Sequence, residues 1–111
     1  MKVLITQRDI PPPIPAGAAG GIVAAPGDQN SATVLTARVN IVTNAAAGTA
    51  VRLKNILGNQ QTLLNRGAFS LTAYPEPGTQ IEGYGLNQPA QLVVGGNATF
   101  TYDNNITWYV T

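Results

Sequence analysis

The chain has 111 residues with neither cysteine nor histidine, and charged residues make up only 10% of it. Without cysteine there is no disulfide and no thiolate metal site, and without histidine the commonest general base and metal ligand is missing. The formal net charge is +1 and the basic residues are scattered, whereas nucleic-acid binding needs clustered cations. We therefore expect one small domain that holds no cofactor or metal, binds no nucleic acid and is not an enzyme.

The start of the chain gives no sign of export or of a membrane span. Residues 1–6 lack the apolar run of roughly 7–15 residues that a signal peptide needs. No stretch approaches the ~20 apolar residues that cross a bilayer. We expect a protein without a membrane partner that stays where it is made or joins an assembly.

Residues 1–30 differ from the rest of the chain. Residues 11–15 read Pro-Pro-Pro-Ile-Pro, which favours an extended path, and the glycines and prolines that follow block a long helix. A disordered tail is one interpretation, but the segment carries more branched apolar side chains than a solvated linker usually has. We predict an extended arm that becomes ordered by lying on a partner. Its candidate partner-binding residues are Val3, Leu4, Ile5, Ile10, Pro11, Pro12, Pro13, Ile14, Ile22 and Val23.

From residue 31 onward the pattern changes to short strands rich in β-branched residues. Alternation along residues 33–43 places Leu35 and Ile41 on a core face and Asn40 on the opposite face. Residues 60–65 fit either a short strand or one helical turn. Phe69 alternates with polar residues as the start of another two-faced strand, and residues 95–97, Gly-Gly-Asn, form a hairpin signal.

The clearest hairpin joins residues 98–102 to residues 106–110 through Asp103-Asn104-Asn105. Period-two alternation points Trp108 into the core and Tyr109 away from it. Short strands about every ten residues favour a β-sandwich, a jelly roll or a small barrel. The predicted fold is all-β, with residues 31–111 forming a compact, jelly-roll-like β-sandwich of seven or eight short antiparallel strands behind the arm.

Few residues offer chemistry. Glu76 and Glu82 are the only carboxylates near each other in sequence, and solvated loop charges explain them better than a glycosidase pair does. Tyr74, Tyr84 and Tyr109 are candidate exposed aromatics, which are common at protein interfaces. Such tyrosines also stack on sugars, so a non-catalytic carbohydrate-binding or adhesin/fibre module is the alternative function.

A Pro/Gly/Ala-rich apolar arm before a short, neutral β-domain without Cys or His resembles the cement (decoration or staple) proteins of tailed-bacteriophage capsids. It is similar to the staple proteins of epsilon-fifteen-type podophages over the whole chain, in layout and composition. The resemblance implies a virion protein, made in the host cytoplasm, on the outer capsid surface. It also implies that the protein staples neighbouring major capsid protein subunits, self-associates as a dimer and has no catalytic residues.

Overall fold

The computed structural model describes residues 17–111, and these form eleven short strands without a helix, which confirms the all-β prediction. None of the described residues belongs to a helix that could span a lipid bilayer. The strands are β1 (Ala18–Val23), β2 (Ala25–Pro26), β3 (Thr33–Val34), β4 (Val39–Asn44), β5 (Thr49–Arg52), β6 (Gln60–Asn65), β7 (Leu71–Tyr74), β8 (Gln80–Ile81), β9 (Ala90–Leu92), β10 (Asn97–Tyr102) and β11 (Thr107–Val110).

The strands form two mixed sheets. Sheet A has the order β1-β4-β6-β10-β11-β8, and sheet B has the order β2-β5-β7-β9 with β3 beside β5. The core contains apolar side chains from both sheets, including Val42 and Leu63 of sheet A and Val51 and Leu71 of sheet B. Trp108 is fully buried, as predicted, and its indole N–H donates to the Thr79 hydroxyl at 3.1 Å.

The first seven strands wind around the core by crossing between the sheets. β1, β4 and β6 are parallel neighbours in sheet A, and the chain visits sheet B between them. Parallel neighbours need a long crossover connection, and here the other sheet provides it in place of a helix. Among the described residues five of the nine pairings are parallel. The arrangement therefore differs from the seven or eight antiparallel strands expected, because hydrophobic alternation shows which face is buried and not the direction of the neighbour.

The boundary predicted at residue 30 does not separate an arm from a domain. β1 pairs with β4, β2 pairs with β5, and Ala24 between them is buried in the core. Residues 18–26 therefore belong to the sheets, where backbone hydrogen bonds offset the conformational freedom of their glycines. Residues 1–16 lie outside the described residues.

The predicted orientation of residues 33–43 is wrong at its centre. A bend at residues 37–38 divides the run into β3 and β4, and the alternation changes face there. Asn40 and Val42 are buried, whereas Ile41 is only half-buried. The Asn40 amide donates to the carbonyls of Ala37 (2.8 Å) and Thr62 (3.3 Å), so its burial leaves it hydrogen-bonded.

The predicted hairpin between β10 and β11 is confirmed. Phe100 pairs with Val110, and Asn104 at the turn has a left-handed φ of 64°. The Asp103 carboxylate accepts backbone N–H bonds from Asn105 (2.8 Å), Ile106 (3.0 Å) and Thr107 (3.1 Å). Partial desolvation raises the pKa of Asp103, but these bonds to its charged form outweigh that effect, and the pKa lies below its ordinary value.

The prediction of a hairpin at Gly95-Gly96 is wrong. β9 pairs with β7 in sheet B, whereas β10 pairs with β6 in sheet A. The turn therefore carries the chain from one sheet to the other. This crossover places residues 93–96 at the end of the molecule where β6 also finishes, because Gly95 N–H donates to the Asn65 carbonyl at 2.9 Å.

Candidate functional site

One end of the molecule exposes large apolar side chains. β1, β4 and β6 run in parallel and finish at this end, at Val23, Asn44 and Asn65. The loop after β6 and the turn after β9 cover the same end. Four large apolar side chains are exposed at this end, and we call them the end surface: Val23, Phe69, Val93 and Val94.

The two loops of the end surface share one hydrogen-bonding centre. Asn65 is fully buried, and its amide nitrogen donates to the carbonyls of Phe69 (2.9 Å), Leu92 (3.1 Å) and Val93 (3.2 Å). Its side-chain oxygen accepts the Gly67 N–H at 3.0 Å. The backbone beneath Phe69 and Val93 is therefore held by a satisfied interior amide, so the exposed side chains stand on a fixed base.

Close packing also holds the loop after β6 against the end of β4. A side chain at Gly67 would bring its Cβ within 2.7 Å of the Ala45 backbone nitrogen, so only glycine allows this approach. Arg66 donates through its guanidinium to the Gly95 carbonyl at 3.2 Å. Arg66 thus connects the loop after β6 to the turn after β9 by a hydrogen bond.

A second feature is a pocket between the sheets at the edge formed by β8 and β9. It has a volume of about 210 Å³. Its lining residues are Ala73, Glu82, Tyr84, Ala90, Gln91, Leu92, Ala98, Phe100 and Val110. Ala73 and Phe100 are buried at its base, whereas Glu82, Tyr84 and Gln91 are exposed at its opening.

The structure does not bring the three predicted tyrosines together. Tyr109 is 46% exposed on the outer face of sheet A, opposite in direction to Trp108, as predicted. Tyr74 is half-buried on the outer face of sheet B, since Leu71 and Ala73 of the same strand face the core. Tyr84 lies at the opening of the pocket. Three separate surfaces do not form a continuous stacking platform.

The other predicted site residues also lie in separate parts of the molecule or outside the described residues. Of the arm residues, Val3, Leu4, Ile5, Ile10, Pro11, Pro12, Pro13 and Ile14 lie outside the described residues. Ile22 packs against the core, and Val23 belongs to the end surface. Glu82 lines the pocket and Glu76 does not, so the pocket places no second carboxylate beside Glu82. The described residues hold no group of three or more acidic residues that fits a metal ion.

Sequence patterns alone did not indicate a functional role for Phe69, Val93, Val94 or Asn65. Phe69 was expected to begin a two-faced strand, but the strand begins at Leu71 and Phe69 lies in the preceding loop. Residues 93–94 continue an apolar run, but β9 ends at Leu92. The available signal was the cluster of Gly67, Gly95 and Gly96, which marks both stretches as turns.

Comparisons with known proteins give no relative from which a role could be transferred. A scan against protein-family models and searches of curated proteins and of solved structures found no match to this chain. A role for this protein must therefore be inferred from the geometry of the end surface, from the pocket and from the surface charge.

Proposed function

We propose that this protein is a capsid cement protein that binds the outer surface of a tailed-phage shell. In this role it staples neighbouring major capsid protein subunits and so stabilises the shell. The observation that carries the proposal is the end surface, where Phe69, Val93 and Val94 are at least half exposed. Large apolar side chains exposed at the same end of a small protein are typical of a site of protein contact.

The rigidity of the end surface supports protein binding. Asn65 ties both loops together, so less conformational entropy is lost on docking than for free loops. Phe69 offers a large apolar group, and fully burying a Phe or Val side chain contributes about 1.5–3 kcal/mol. Several such side chains on a fixed base suit an interface that must persist on a shell.

The low charge of the chain is consistent with a protein that contacts the outer capsid surface and not the packaged DNA. A net charge of +1 with 10% charged residues gives little attraction for DNA phosphates. It also gives little repulsion between copies on a crowded lattice. Many identical sites on one shell add avidity, so a modest surface per copy is sufficient.

The arm in this proposal comprises fewer residues than the sequence predicted. Residues 18–26 are part of the sheets, so the stretch proposed to reach a capsid neighbour is residues 1–16, with its apolar side chains and its Pro-Pro-Pro-Ile-Pro run. Self-association as a dimer remains part of the proposal. The free outer edge of β1 within residues 17–111 supports it, because an edge strand without charged residues is open to pairing. A jelly-roll-like topology is not needed for this function, and the parallel pairings do not favour it.

Substitutions in the end surface test the proposal. Phe69→Ser and Val93→Ser should each lower retention of the protein on capsids roughly tenfold or more, because each removes apolar area buried on docking. The matched control is Leu57→Ser, since Leu57 is 52% exposed, close to the 51% of Phe69, but precedes the opposite end of β6. Retention is measured by co-sedimentation with shells. Equal retention of all three variants and the original chain would contradict the proposed contact.

A further inference from the structure

The pocket between the sheets exists because small side chains meet there. Ala73 of β7 pairs directly with Ala90 of β9. Ala98 of β10 lines the pocket from the other sheet. Larger apolar side chains at these positions would close the space, as they do elsewhere in a core packed near crystal density.

The size of the pocket limits what it can hold. Its volume is about 210 Å³. An engineered apolar cavity of roughly 150 Å³ binds benzene. One aromatic ring or a short branched alkyl group therefore fits inside the pocket, and a larger ligand extends beyond its opening. The base, formed by Ala73, Leu92 and Phe100, offers apolar contact only.

The opening of the pocket carries a fixed negative charge. Glu82 lines it, and one carboxylate oxygen of Glu82 accepts the Val110 backbone N–H at 3.3 Å. Val110 is itself a lining residue, so this bond holds the carboxylate at the wall of the pocket. Tyr84 stands at the same opening and offers an aromatic ring, whose face also attracts cations.

We propose that this pocket binds a small organic amine with an apolar body of about one ring. The ring or alkyl group lies on Ala73, Leu92 and Phe100, and the ammonium group pairs with the Glu82 carboxylate at the opening. A carboxylate ligand of the same size is repelled by Glu82. This site is separate from the end surface and does not depend on capsid binding.

Three probes of nearly equal shape test the charge preference. Benzylamine, benzyl alcohol and benzoate are titrated into the isotopically labelled protein, and amide shifts are followed by NMR. We expect saturable shifts at the lining residues with roughly millimolar dissociation constants, since small fragments gain limited energy. Benzylamine should bind about two- to fivefold more tightly than benzyl alcohol, as for a partly exposed ion pair. Benzoate should bind most weakly.

Two variants locate the binding. Glu82→Gln is an exposed substitution, and it should reduce benzylamine affinity to that of benzyl alcohol while leaving benzyl alcohol unchanged. Ala98→Leu should fill the space and weaken the binding of benzylamine and benzyl alcohol together. If that variant does not fold, Ala90→Val, at a half-buried position, replaces it. Non-saturable shifts, an unchanged benzylamine preference in Glu82→Gln, or full binding by the folded filled variant would each overturn the proposal.

Discussion

At the scale of single residues, the fold depends on three buried side-chain amides. Asn40, Gln61 and Asn65 are fully buried, and each bonds backbone groups of a loop or bend. Gln61, for example, donates to the carbonyls of Leu35 and Ala37 at 3.0 Å and accepts the Lys54 N–H at 2.9 Å. These amides replace water where the chain turns from one sheet to the other.

Removing the Asn65 amide should be costly. Asn65→Ala removes this partner from the Gly67 N–H and from the carbonyls of Phe69 and Leu92, whereas the Val93 carbonyl keeps its bond from the Gly96 N–H. Each buried group left unsatisfied costs about 1–3 kcal/mol. Because the loops can relax toward water, we expect a total loss of about 2–3 kcal/mol in the free energy of unfolding, measured by urea denaturation. The exposed Asn55→Ala serves as the control and should change little. Similar losses in both variants would contradict the bonding role of Asn65.

Asp103 should make stability depend on pH in a definite direction. Its pKa in the folded protein lies below the ordinary value, so its contribution is present at neutral pH and is lost as the pH falls through the folded pKa. The urea midpoint of Asp103→Asn should therefore lie below that of the original chain at pH 7, and the difference should shrink in acid. A difference that is constant from pH 7 to pH 2 would refute this assignment.

Some of these residue roles were readable from the sequence. Alternation along residues 106–110 placed Trp108 inside and Tyr109 outside, because the hairpin has one buried and one exposed face. The same reasoning placed Asn40 outside, since a polar residue in an alternating run normally faces water. The Asn40 amide bonds the carbonyl of Ala37, three residues earlier, and the carbonyl of Thr62 on the neighbouring strand β6. The second contact is not visible in a local sequence pattern.

At the scale of elements, one contact determines how closely the loop after β6 approaches the end of β4. Gly67 stands against Ala45, where added atoms would meet backbone. Backbone cannot move aside as a flexible side chain can, so the contact tolerates no Cβ without a local shift.

Gly67→Ala should therefore destabilise the protein by about 1–3 kcal/mol, as overpacking against a fixed neighbour does. Gly20→Ala is the matched control, because a Cβ there would meet nothing within 4 Å. That control should be neutral or gain about 0.4–1 kcal/mol through the unfolded state. Thermal and urea unfolding of both variants give the comparison. Equal stability of the two variants would contradict the close approach at Ala45.

The strands themselves were partly predictable. Residues 60–65, beside the option of a helical turn, and residues 69–74 were expected as strands. The first forms a strand over its whole length, and the second does so only over residues 71–74. Where the prediction failed, as at residues 95–97, the local turn was real but its two strands joined different sheets. A turn signal gives a change of direction and does not name the partners of the strands that it connects.

At the scale of the whole molecule, composition and strand spacing gave the all-β class but not the parallel winding. The winding has a functional consequence, because parallel strands finish together. It places the ends of β1, β4 and β6, with the loops that follow them, on one side of the molecule. Val93 and Val94 reach the same side differently, because β9 pairs antiparallel with β7 and therefore ends beside the start of β7.

The most direct measurement is the protein content of gradient-purified virus particles from lysates in which this chain is made. We predict that the chain sediments with intact shells at a fixed ratio to the major capsid protein, and that Phe69→Ser reduces this ratio whereas Leu57→Ser does not. A chain that stays wholly in the unsedimented fraction, while the shells are complete, would contradict the proposed function.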